Sequence, residues 1–251
     1  MAGVSGWVEA AVWGGVGGLA LVVGALVGWF ARVRQTVIAT VMAFGAGVLI
    51  SALAFDLALE AEETGGLRPT VLGFLAGAVA YVGANAWLAR YGARHRKRSG
   101  DRQPSPDVGG SGTAIAVGSL LDGIPESVVL GISLLDGSGV SVAVVAAVVI
   151  SNVPEGLSSA AGMRQAGRSV RYVMGLWAVI AVVVAAASAT GYVTLADASP
   201  EVVATITAVA AGAILTMIAD TMIPEAFERA HMLTGLVTTL GFLVAFTISR
   251  A

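Results

Sequence analysis

Two short stretches of this chain could do chemistry that its surroundings do not explain. They read Asp122-Gly123-Ile124-Pro125-Glu126-Ser127 and, 29 residues later, Ser151-Asn152-Val153-Pro154-Glu155-Gly156. Each sets a Pro-Glu pair inside a long apolar run. A carboxylate in hydrocarbon costs about 2.5–3.5 kcal/mol on insertion scales, so such groups are rare and mark function by default. Proline within a helix removes one backbone hydrogen bond, here from the carbonyls of Leu121 and Ile150. In lipid those carbonyls need another partner. Asp122 lies one helical turn before Glu126, and Ser151 one turn before Glu155. Asn152, three residues before Glu155, shares that face. If the two helices face each other, Asp122, Glu126, Asn152, Glu155 and, less directly, Ser151 converge on one polar cavity. Oxygen donors carrying two or three negative charges suit a divalent cation. A pair of proline kinks with carboxylates bonded to other helices, or a proton-coupled carrier of organic solutes, would also use these residues.

The elements that must position them are membrane spans. The chain has 251 residues, 57% hydrophobic and only 12% charged, and no cysteine. That composition excludes an ordinary soluble domain, and the missing cysteine excludes disulfides and thiolate metal sites. Apolar windows predict eight transmembrane helices at 7–31, 36–62, 67–92, 112–135, 139–165, 169–194, 201–226 and 231–249. The fold expected is therefore an all-α membrane protein forming one transmembrane domain over residues 1–251. No basic leader region precedes Trp7, so the first span reads as retained.

Basic residues alternate through all eight spans. Arg32 and Arg34, the run Arg90 to Arg102, then Arg164, Arg168, Arg171 and Arg229 fall on one side and hold 12 of the 14 Lys and Arg. The positive-inside rule makes that side cytoplasmic and places both termini outside, in a multi-pass plasma or inner membrane protein. Segment 93–111, between the third and fourth spans, reads as a flexible basic cytoplasmic loop. An internal repeat is also visible. AGVLISALAFDLALEA (46–61) and AGAILTMIADTMIPEA (211–226) align without gaps, Gly47 on Gly212 and Glu60-Ala61 on Glu225-Ala226. The two spans run in opposite directions, as do the two Pro-Glu spans, which suggests an inverted repeat of the kind secondary transporters use. Helices built from the same small residues also resemble one another by chance.

With these residues in view, the chain resembles the ZIP (Zrt/Irt-like) family of metal transporters, bacterial type. That family carries His-Asn-x-Pro-Glu-Gly and His-(Asn/Asp/Glu)-x-Pro-Glu-Gly in its fourth and fifth spans, where this chain has the two stretches quoted above. The second and seventh spans resemble the family at matching places. The resemblance implies a ZIP-like bundle of eight helices with outside termini. Spans one, four, five and six group against two, three, seven and eight. It transfers Glu126, Asn152 and Glu155 as metal ligands, with Asp122 as a substituted ligand and Ser151 standing at the other motif histidine position. Both motif histidines are absent, and Val184-Ala185 stands where the sixth span often has Glu. A single metal held by oxygens is then the simpler expectation. Zinc is the family's commonest substrate. An all-oxygen site leans toward manganese or iron, and the choice of metal stays open.

Outside the motif, Asp56 lies late in the second span and Asp220 and Glu225 late in the seventh. They form an expected relay of outer mouth, central site and inner mouth. Interhelical hydrogen bonding is the alternative for Asp56 and Asp220. Glu60, Glu62 and Glu63 suggest an external acidic rim. No nucleotide loop or catalytic signature is present, so neither an ATP-driven pump nor an enzyme is expected. The expectation is uptake of a divalent metal into the cytoplasm by alternating access, with no permanent cofactor and no nucleic-acid partner. The lipid bilayer is the surrounding partner, and a homodimer is one of the oligomeric states left open. A non-transporting membrane metal sensor is the competing expectation.

Overall fold

The structure, a computed structural model, describes residues 5–91, 95–97, 103–107, 111–135, 137 and 139–250, with 111 and 112 described by backbone alone. Eight helices follow one another: α1 (Gly6–Phe30), α2 (Gln35–Gly65), α3 (Leu67–Ala89), α4 (Ser111–Ile132), α5 (Val142–Gln165), α6 (Val170–Leu195), α7 (Pro200–Ala230) and α8 (Leu233–Ser249). Among the described residues every regular element is helical. Seven of these helices are long and apolar enough to cross a membrane, and α8 is an apolar helix of 17 residues. This matches the eight apolar windows, because uninterrupted hydrophobic runs leave helix as the one structure that satisfies its own backbone in lipid.

Helix pairing follows small residues. α1 packs on α5 and α6, α4 on α6, α3 on α7, and α2 on α8. At the α3–α7 crossing a Cβ on Gly77 would lie 1.9 Å from the Val209 carbonyl oxygen. At the α2–α8 crossing a Cβ on Gly47 would lie 1.9 Å from that of Thr238. Only glycine lets these backbones approach so closely. The main core joins α2, α4, α5 and α7 through Met42, Leu49, Leu130, Val148, Met217 and Met222.

Both α2 and α7 contain a π-helical turn, at Leu53–Leu57 and Ile218–Met222. In the gapless register that aligns Gly47 with Gly212, these two turns coincide residue for residue. Each π turn adds a residue to one turn of the helix and re-aims the side chains beyond it, a device common at functional sites. Asp56 lies in the first and Asp220 in the second.

Of the segment between α3 and α4, residues 95–97 and 103–107 are described, and three of their side chains turn into the bundle. Arg96, Lys97 and Gln103 are buried, at 1%, 5% and 5% exposure. The physical reason is polar pairing: Arg96 and Lys97 meet carboxylates inside the bundle, and Gln103 bonds backbone carbonyls there, which a sequence read for topology alone does not reveal. Residues 92–94, 98–102 and 108–110 lie outside the described residues.

Candidate functional site

Helices α4 and α5 run through Pro125 and Pro154 and carry both motif carboxylates into the interior. Asp122, Glu126 and Glu155 are each 5% exposed or less, and Ser151 and Asn152 are buried with them. The unexpected cations of the site come from the stretch between α3 and α4.

Arg96 grips Asp122 with two parallel bonds: Nε donates to Oδ2 at 2.8 Å and Nη2 to Oδ1 at 2.8 Å. Its Nη1 donates to Asn85 Oδ1 at 2.8 Å, and Nη2 also reaches the Tyr81 hydroxyl at 2.9 Å. The Tyr81 hydroxyl in turn donates to Asp122 Oδ1 at 2.5 Å. This is the fork geometry for which guanidinium and carboxylate are matched. Burial disfavours the charge of Arg96, but the Asp122 carboxylate outweighs that and holds the guanidinium above its ordinary value.

Lys97 occupies the neighbouring seat. Its ammonium donates to Glu155 Oε1 and stands 3.5 Å from Asp122 Oδ2. The backbone around it is pinned too. Ser158 Oγ donates to the Lys97 carbonyl, and Gln103 Nε2 donates to the carbonyls of Arg96 and Ser159. Two cations of the chain therefore stand against two of its three buried motif carboxylates.

Glu126 is the exception. Its Oε1 is buried without a hydrogen-bond partner, and so is Asn152 Oδ1. Asn152 spends its amide on the Gly17 carbonyl of α1 at 3.0 Å. Unsatisfied buried acceptors are uncommon, and each calls for an explanation such as an ion or water. Glu126 also borders a small cavity of about 10 Å³, lined otherwise by apolar side chains that include Leu53, Leu57, Val129, Val144 and Val148. That volume is at the lower limit for one water molecule.

The remaining sequence candidates sort themselves by contact. Ser151 Oγ donates to the Val148 carbonyl of its own helix, so its bond satisfies backbone rather than the cavity. Asp56 is partly buried and accepts from Ser249 Oγ at 2.8 Å, an interhelical bond between α2 and α8. Asp220 is exposed on the outside of the bundle. Glu225 is buried and accepts from Ser158 Oγ at 3.2 Å, which links α7 to the residue that pins Lys97. Glu60, Glu62 and Glu63 are exposed together near the end of α2. Among the described residues no three His, Cys, Asp or Glu side chains converge closely enough to hold a metal. The structure thus brings together Asp122, Glu155, Arg96 and Lys97, with Glu126 beside them.

Sequence reasoning missed Tyr81, Asn85, Arg96, Lys97 and Ser158. A signal existed for three of them. Tyr81 and Asn85 are polar residues one turn apart in the apolar stretch that follows Thr70, and Ser158 continues the stripe of Ser151 and Glu155. No signal distinguished Arg96 and Lys97 from their basic neighbours.

No protein-family model and no curated protein matches the chain.

Proposed function

We propose that this chain carries divalent transition-metal cations across the membrane through the carboxylate site between α4 and α5. The observation that carries the reading is the Lys97 ammonium seated against Glu155 and Asp122. It marks a seat for positive charge in the interior, beside a Glu126 oxygen that has no partner. The resemblance to ZIP transporters supplies the direction, into the cytoplasm, and zinc as the expected substrate. The oxygen-only donors favour manganese or iron alongside zinc.

Alternating access gives such a site its transport cycle. The apolar side chains around Glu126 close one approach, and the buried side chains of Arg96, Lys97 and Gln103 close the other. The pairing of α3 with α7 and of α2 with α8, and the coincident π turns, support an inverted repeat as the moving architecture. In this reading the cation enters past the acidic residues at the end of α2, binds at Glu126 and Glu155 with the Asn152 carbonyl, and leaves by the α3–α4 segment.

Uptake of Zn²⁺ and Mn²⁺ into dye-loaded proteoliposomes tests the reading. Glu126→Ala and Glu155→Ala are expected to abolish uptake, and undiminished flux in both would sink the site. The neutralised carboxylates specifically favour a second reading, a membrane metal sensor that binds without transporting. Metal binding by purified protein with no flux in the same preparation would select it.

A further inference from the structure

The two loop cations are not equivalent. Arg96 makes a bidentate bond to Asp122 and further bonds to Asn85 and Tyr81, so its guanidinium is fully committed to α3 and α4. Lys97 is held as a point charge, by Glu155 and more distantly by Asp122. Ammonium groups make no planar fork and rotate freely, whereas the guanidinium fork is geometrically specific. The Lys97 ammonium also lies on the carboxylate that the proposed substrate needs, while the Arg96 partner Asp122 is already saturated.

Resting on the cation-transport reading above, we propose that Lys97 is a built-in competitor for the substrate seat and that Arg96 is its fixed anchor. An incoming divalent cation displaces the Lys97 ammonium from Glu155. Arg96, Asp122 and Tyr81 stay together throughout. The substrate ligands then narrow to Glu126, Glu155 and Asn152, the residues that hold unpartnered oxygens or a displaceable one. Asp122 becomes a positioning residue rather than a metal ligand. The tether makes the competitor's local concentration high and independent of the medium, as for any intramolecular ligand. Occupancy by Lys97 therefore sets the concentration at which external cation begins to bind.

The test uses the full chain purified in detergent, with Mn²⁺ binding followed by loss of the free-ion electron paramagnetic resonance signal. If the Lys97 side chain leaves the seat open about one tenth of the time, Lys97→Met tightens Mn²⁺ binding about tenfold. Lys97→Arg, which retains the competing charge, is expected not to tighten it. A second readout follows the anchor. The chain has no cysteine, so Ser158→Cys gives a unique thiol beneath the Lys97 carbonyl. That thiol is expected to resist a water-soluble maleimide with and without Mn²⁺, and to react at least about tenfold faster when Arg96→Gln is added. If that variant does not fold, Gln103→Ala loosens the same segment. Wild-type-like Mn²⁺ affinity in Lys97→Met overturns the competitor. Equal acceleration of labelling by Mn²⁺ and by Arg96→Gln overturns the fixed anchor. No Mn²⁺ binding in any form, with the thiol still protected, defeats the transport reading instead and leaves the Arg96 anchor standing.

Discussion

The two Pro-Glu helices are near copies in sequence and opposites in how their polar groups are used. In α4 the residue one turn before the glutamate is Asp122, locked by Arg96 and Tyr81, while Glu126 itself keeps a bare oxygen. In α5 the residue one turn before the glutamate is Ser151, bonded back to its own helix, while Glu155 holds the Lys97 ammonium. One helix neutralises its upstream position and the other its glutamate. A motif read twice thus yields one carboxylate locked by a guanidinium, one paired with an ammonium and one with an unpartnered oxygen. A repeated motif position, then, need not keep one role in both copies. An aspartate in such a motif can be taken up entirely by a cation from elsewhere in the chain.

The comparison breaks most visibly at Arg96. Removing one partner of a buried ion pair costs about 3–5 kcal/mol because the other charge is left uncompensated. Arg96→Met is expected to destabilise the purified protein on that scale, read as a drop in the midpoint of thermal unfolding in detergent. Combining it with Asp122→Leu removes both charges, and the double variant should recover most of the loss. A double variant no better than Arg96→Met would show that the pair does not act as a unit.

A smaller effect is expected at Tyr81. Its hydroxyl donates to a charged carboxylate, a bond worth about 1.5–3 kcal/mol. Tyr81→Phe should lower the unfolding midpoint by less than Arg96→Met does, without changing which helix carries the locked aspartate. Smaller still is Ser151→Ala, since the hydroxyl only returns to its own backbone, an arrangement of little or negative value to a helix. It should shift stability by no more than about 0.5 kcal/mol and leave metal uptake near wild type. A large loss of uptake there would restore Ser151 as a ligand and erase the contrast between the helices.

Much of the architecture was legible because it is written in hydrophobic length. Eight apolar runs became eight helices, and both prolines lie within helices as their positions required. The π turns were not legible. A single extra residue in a helical turn leaves no mark on hydropathy, although the gapless match of 46–61 with 211–226 covers both turns. At the site, burial of Asp122, Glu126, Asn152 and Glu155 followed from their place in the spans. The partners of Asp122 and Glu155 did not, because Arg96 and Lys97 look like any positive residues beside a span end. Sequence assigns such residues to topology. Whether they also turn inward depends on where the helix ends leave them, which only the packed bundle determines.

The spacing of the Arg96 contacts along the chain carries a consequence for assembly. Tyr81, Asn85 and Asp122 lie 15, 11 and 26 residues from Arg96, all within the α3–α4 hairpin. Glu155 lies 58 residues from Lys97 and must await α5. Short separations close at little entropic cost, so the guanidinium can meet Asp122 as soon as the hairpin forms. The helix then inserts with one of its two carboxylates, Asp122, already matched. Of the two cation seats, the Lys97–Glu155 one fills second during biogenesis, and in the proposed cycle the later of the two is the one a cation undoes.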